Sequence, residues 1–357
     1  MSRKRNKNKQ LLEPANIKVR FFSYFTDMVI LLSLTTIMSA LLRQGPFFYS
    51  ASLLYSIGLQ QLTTLSVQSA AYFYIVFTVI STTYYFFEPL KIGTIGNRIF
   101  NIKIGFDDRK KSNLRLKIFI RALLKSNPII NLVDSFGIFR NKKLLLKYSD
   151  RRSGFLVLTE KNQLSVRRLI VASFLIYYLP LIAILAYAGI NGAVPNLTTS
   201  SSTATVYKTS AFNTHFFGNF YSTVRVILYN NLDLCLELLS GGIFFMLPSL
   251  MVLTTSSLFE GVSMYVFLKG GPNLFAKSVL PEFFPETLGY VMALTFGLIL
   301  SSVVLDFLNS YVRGTSYEEF AGNSTKILKK GFLVIILMVA LIVAGALIEA
   351  YVDTTLL

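Results

Sequence analysis

The chain has 357 residues, 53% of them hydrophobic and only 15% charged, with a net charge of +17. A soluble domain carries nearer a quarter charged residues, so the composition excludes an ordinary water-solvated fold. One cysteine (Cys235) and one histidine (His215) exclude a disulfide framework and a Cys/His metal site, and no phosphate-cradling Gly-rich loop or HExxH pair occurs. Neither a cofactor nor enzymatic chemistry is therefore expected.

Apolar runs long enough to cross a bilayer recur along the chain, which predicts an all-α, polytopic helical membrane protein. Residues 1–20 carry seven Lys/Arg against Glu13 and read as a basic, disordered tail. The first span is expected over 21–43. The second covers 66–88, with Tyr72–Tyr74 at one end and Tyr84–Phe87 at the other, where aromatic rings suit the membrane interfaces. Residues 89–165 hold seventeen Lys/Arg against five acids and form a basic segment between the second and third spans. Short basic loops face the cytoplasm, which places this segment and the N-terminus there. Positive-inside topology and attraction to anionic lipid account for the basic excess, so no nucleic-acid partner is expected.

Within that segment "NLRLKIFIRALLK" (113–125) reads as a basic amphipathic helix on the membrane surface, and 127–139 is apolar but too short to cross. A third span covers 166–190, with a kink expected at Pro180. The Ser/Thr-rich loop 191–224 has one cation, Lys208, and the sequon at Asn196, as suits an extracytoplasmic, glycosylatable loop. Residues 230–268 are too long for one crossing, and Pro248 is the expected point of division into two spans or a re-entrant segment. Further spans are expected at 286–308 and 331–351. The count is six or seven. One crossing within 230–268 puts 310–330 outside, where the sequon at Asn323 is usable; two put Arg313, Lys326, Lys329 and Lys330 inside.

Two charges mark the mouth of the first span. Arg20 and Asp27 lie two helical turns apart on one face, about 10 Å along the axis. Arg20 snorkels to the phosphates, whereas Asp27 lies deeper and needs either a cation, with Arg98 and Arg121 as candidates, or a proton. The Arg-x6-Asp start, the stretch Gly93-Thr94-x-Gly96-x-Arg98, Arg121 before a short apolar segment and the closing "DRRSG" with Asp150 together resemble the RDD family over about 13–158. That family usually has Lys where this chain has Asn97. The resemblance implies a small membrane domain, for some members a sodium–proton antiporter. Arg20, Asp27 and Asp150 then form a lock at the cytosolic face, an ion path or part of a docking surface.

In the second half Asn230, Asp233, Glu237 and Gly241 are spaced as one polar stripe on a helix. Glu260, Glu286, Asp306 and Glu349 fall in or beside apolar runs without neighbouring cations, so they are expected to face the bundle interior. Asp233, Glu237 and Asp306 have the plainer reading of residues at the water interface, which is preferred for Asp306. The paired Asn230-Asn231, Gly241-Gly242, "LPEFFPE" (280–286) and "IEA" (348–350) resemble the stage II sporulation protein M family over about 165–352. Glu260 and Glu282 stand where that family commonly has Asn and His, so a histidine relay is not carried over. Members of both families occur beside AAA-type ATPases and von Willebrand factor A domain proteins, which the resemblance makes the expected partners. The lack of Trp and the Ile, Tyr and Lys usage match a thermophilic archaeal source. Ala340-xxx-Ala344 favours close helix packing, as in a homo-oligomer.

Two functions follow as expectations. One is a non-enzymatic membrane scaffold that recruits partners through 89–165. The other is an ion or small-solute transporter with Asn230, Asp233, Glu237, Glu260, Glu286 and Glu349 along its route.

Overall fold

The computed structural model describes residues 12–42, 67–89, 93–106, 113–140, 146–159, 164–191, 219–270, 272–314 and 316–355. Helices dominate, as the apolar runs require. In chain order they are α1 (Ile17–Leu41), α2 (Val67–Phe86), α3 (Ile95–Ile99), α4 (Leu114–Ser126), α5 (Pro128–Ser135), α6 (Gly137–Arg140) and α7 (Tyr148–Ser153). These are followed by α8 (Val166–Asn191), α9 (Phe220–Ser240), α10 (Leu247–Gly270), α11 (Pro272–Ser278), α12 (Leu280–Arg313) and α13 (Tyr317–Thr355). Among the described residues, four helices (α1, α8, α12 and α13) are long and apolar enough to cross a membrane by length and composition. Helices α2, α9 and α10 reach 20, 21 and 24 residues, each enough for a crossing by length. The sequon at Asn196 lies outside the described residues.

The chain divides into two compact units. The first comprises the described parts of Met1–Leu31, Phe77–Arg168 and Ser302–Ser324, and the second those of Leu32–Val76, Leu169–Ser301 and Thr325–Leu357.

The first unit holds a feature the apolar pattern did not announce, a three-stranded antiparallel sheet. Strands β1 (Glu13–Pro14), β2 (Ile102–Phe106) and β3 (Phe155–Thr159) lie in the order β1-β3-β2. Phe155, Val157 and Thr159 alternate inward on β3, the period-2 pattern of a half-buried strand. Pairing runs from Ile102↔Thr159 to Phe106↔Phe155 on one side and Glu13↔Thr159 on the other. Pro14, which cannot donate to a ladder, sits on an edge strand where that loss is tolerated. Residues 12–20, expected in a disordered tail, are thus a strand and the first turn of α1.

In the second unit 220–270 is a helical hairpin. The division falls at Gly241–Met246, not at Pro248, which occupies the first turn of α10 where a missing N–H costs little. Ser249 donates to the Leu238 carbonyl at 2.7 Å across the hairpin, and Ser301 donates to the Gly242 carbonyl at 2.5 Å. A Cβ on Gly242 would lie 2.2 Å from the Gly297 carbonyl oxygen, so α9 and α12 meet backbone to backbone. Helix α13 begins at Tyr317, well before the expected 331. Asn323 is therefore helical, not in a loop between spans. Within the chain, close helix packing falls to Gly289 and Gly345, whose Cβ positions abut Ile342 and Glu286.

Candidate functional site

Buried charge in the first unit gathers at one end of α1. Thr94 caps α3 by accepting from the Asn97 amide at 3.2 Å. Gly93 occupies the left-handed region at φ +62, and Gly96 lets α3 touch α1: a Cβ there would meet the Ser23 carbonyl oxygen at 2.2 Å. That approach brings the Gly96 N–H to Asp27 Oδ1 at 2.8 Å, while the Tyr84 hydroxyl donates to the same oxygen at 2.7 Å. Asp27 is wholly buried, and its other oxygen lacks a hydrogen-bond partner. The expected cation is not its partner. Arg98 is exposed, and Arg121 is engaged elsewhere.

Arg121, on the inner face of α4, joins two acids. Its Nη1 pairs with Glu88 Oε2, its Nε donates to Asp150 Oδ1 at 2.8 Å, and its guanidinium lies 5.1 Å from the centre of the Phe155 ring. Lys125, one turn on, reaches Glu88 Oε1 at 2.5 Å. Arg20 donates to the carbonyls of Ala15 (2.9 Å) and Val157 (3.3 Å), and its Nη1 lies 4.0 Å from Asp150. Arg20, Arg121 and Asp150 therefore converge, with Asp27 tied in through α3. Glu88, just past the end of α2, was not singled out from the sequence. Asn97 is its third partner, donating from Nδ2 at 2.9 Å while accepting from Ser23 Oγ at 2.8 Å. An acid closing an aromatic-lined apolar run, as in "YYFFEPL", is the signal that marks it.

Burial alone would raise Glu88 and lower Arg121. Their pairing outweighs burial in both, holding the Glu88 carboxyl well below the usual carboxylate range and Arg121 above its own. Lys147 donates to Asn131 Oδ1 at 2.5 Å, and burial pushes its ammonium down to about 8. These groups surround a cavity of about 40 Å³, lined among others by Arg20, Tyr24, Glu88, Arg121, Lys147 and Asp150. That is room for a few waters. At the start of α1, Lys18 pairs with Asp306 of α12 at 2.7 Å. Asp306 is thus a buried ion-pair member rather than a residue at the water interface.

The second unit holds half-buried acids in a different way. Glu286, on α12, accepts from Asn231 Nδ2 at 2.5 Å, and Tyr290 donates to Asn231 Oδ1 at 2.7 Å. The Glu349 carboxyl meets Glu286 from α13, and Gly345 makes room: a Cβ there would lie 2.4 Å from Glu286 Cγ. Among the described residues no cation pairs with either, and two facing acids repel unless a proton or cation is shared. Glu260 accepts from the Tyr177 hydroxyl, 2.8 Å from both carboxylate oxygens. The expected stripe is misplaced. Asn230, Asp233 and Glu237 are exposed, whereas the inward face of α9 carries Asn231, Cys235 and Leu238. One residue along a helix is a 100° rotation, so the neighbouring asparagine, not Asn230, enters the cluster.

The family model described as Stage II sporulation protein M matches residues 169–353, more than half of the chain and the part that holds Asn231, Glu260, Glu286 and Glu349. No curated protein and no solved structure matches the chain at a significant level.

Proposed function

We propose that this chain, which belongs to the stage II sporulation protein M family, works as a non-enzymatic membrane component that holds a partner-recruiting unit at the cytoplasmic face. The carrying observation is the Glu88–Arg121–Asp150 chain of ion pairs, which ties α2, α4 and α7 together under the sheet. Buried charges paired this completely make a rigid mount, not a route for mobile ions. The RDD reading of this unit rests on Arg20, Asp27, Asp150 and the Gly93–Arg98 element, and its Asn97 bonds Glu88 where a family lysine would add a further cation. The partners proposed are AAA-type ATPases and von Willebrand factor A domain proteins. Gentle solubilisation and affinity capture of the tagged full-length chain tests the reading. A stoichiometric cytoplasmic partner, lost on Arg151→Glu/Arg152→Glu at the exposed end of α7, is expected; capture of the chain alone refutes it.

A second reading, proton-coupled movement of an ion or small polar solute, is favoured by one specific observation. Glu286 and Glu349 face each other beside Asn231, with Glu282 and Asp353 as further acidic neighbours and, among the described residues, no cation paired with either. Vesicles loaded with a pH dye test it. A cation-dependent proton flux abolished by Glu286→Gln and Glu349→Gln supports transport, and an unchanged flux removes these acids from any route.

A further inference from the structure

Helix α4 is turned inside out. A helix on a water-solvated unit hides its apolar stripe and shows its charges. Here the buried face carries Arg121, with Ile118 and Ala122. The outward face is Leu116, Phe119, Ile120 and Leu123, exposed by 56, 47, 47 and 43%. Their spacing of three, one and three residues is one continuous helical stripe. Helix α5 extends it with Ile130 and Val133, exposed by 43 and 58%. An apolar surface of this extent marks an interaction site.

Two contacts set its depth. The Tyr24 hydroxyl donates to the Lys125 carbonyl at 3.4 Å, and Thr82 donates to Ser126 Oγ at 3.2 Å. Tyr24 is two turns inside α1, a helix long and apolar enough to span, and Thr82 lies within apolar α2. The C-terminal end of α4 is thus anchored beside α1, a helix long and apolar enough to span, and beside apolar α2. At its other end Arg115 and Lys117 stand beside the stripe.

We propose that the outer face of α4 and α5 is sunk in the membrane leaflet that α1 enters, with lipid as its occupant. Leu116, Phe119, Ile120, Leu123, Ile130 and Val133 lie against acyl chains, and Arg115 and Lys117 contact the phosphates of anionic lipids. The inverted polarity follows directly. Lipid solvates the stripe, while Arg121 turns away from hydrocarbon to Glu88 and Asp150. A protein partner needs no such depth, and the cations complement an anionic surface. The inference goes beyond the scaffold reading and needs only that α1 enters a membrane. It leaves α7 and the sheet for partners.

The chain contains no tryptophan, so one introduced ring is a unique reporter. Phe119→Trp, Val133→Trp and, as a control, Lys103→Trp on exposed β2 are reconstituted as full-length protein in vesicles of neutral and anionic lipid. Lipids brominated on their acyl chains should quench the first two at least twofold and leave Lys103→Trp unchanged, with iodide acting the other way round. Adding anionic lipid should strengthen acyl-chain quenching of the Phe119→Trp protein, and Arg115→Gln/Lys117→Gln should remove that increment. Iodide quenching of all three places the face in water and overturns the proposal. Protection of both face reporters from both quenchers overturns it too, in favour of a second copy or a bound protein. Failure of partner capture leaves these readings unchanged, so the two proposals fall separately.

Discussion

Both units draw acids out of water, fully in the first and partly in the second, and they partner them in opposite ways. In the first, Glu88 and Asp150 are held by Arg121 and Lys125, and Asp306 by Lys18. In the second, Glu260, Glu286 and Glu349 meet tyrosine, asparagine and each other. A carboxylate locked to a guanidinium keeps its charge, and removing either partner strands the other in a poor solvent. A carboxyl bonded to neutral groups strands no buried cation when it is replaced. The first arrangement fixes its charges in place. The second leaves chemistry open.

The largest effect should come from breaking the charged cluster at its centre. Arg121→Met leaves Glu88 and Asp150 buried with one cation fewer and should destabilise the first unit by about 3–5 kcal/mol. Thermal unfolding in detergent, followed by a probe in that unit, reads it. A change below 1 kcal/mol would mean the two acids protonate or find water at little cost.

Gly96→Ala should cost about 1–3 kcal/mol, because its methyl would meet the Ser23 carbonyl and pull the Gly96 N–H from Asp27. Gly189→Ala, where a Cβ meets nothing within 4 Å, is the neutral comparison.

Acid should separate the units next. The folded-state pKa of Glu88 lies below its unfolded value, so its stabilisation is complete above about pH 4.5 and fades as pH falls toward the folded value. Glu88→Gln should flatten that acid limb. Lys147 works at the other end. Its folded value of about 8 lies below the ordinary lysine value, so the unfolded chain binds more protons between them. Stability should rise with pH from about 8 toward 10, and Lys147→Met should remove the slope; an unchanged slope would assign it to another group.

The smallest change is expected in the second unit. Glu286→Gln keeps a hydrogen-bonding oxygen for Asn231 and strands no cation, so its unfolding midpoint should stay within about 1 kcal/mol of the parent. A loss as large as that of Arg121→Met would show that both acid clusters are structural locks.

Several parts of this arrangement were legible in the residues. Apolar length marked the helices, the charged mouth of α1 marked Arg20 and Asp27, and the Gly93–Arg98 stretch marked the approach of α3 to α1. The glycines and acids of the second half carried a family resemblance that the match over 169–353 bears out. Other parts were hidden for physical reasons. "IKIGF" and "FLVLT" are five residues each, too short to be separated from buried helix by periodicity, and their pairing joins residues 49 to 57 positions apart. The polar stripe of α9 was read one residue out of phase, because spacing alone gives a helical face but not the direction it points. Asp306 looked solvated because Lys18, its partner, is 288 positions away.

Composition and hydropathy by themselves determined that lipid bounds much of this protein, since backbone groups in hydrocarbon must bond within their own helix and apolar length alone then dictates the element. Which acids meet a cation and which meet only uncharged groups or another acid was decided only in three dimensions. A buried carboxyl's behaviour depends on whatever the fold brings within about 3 Å, and the chain brings Arg121 to Glu88 but only Asn231 and Glu349 to Glu286.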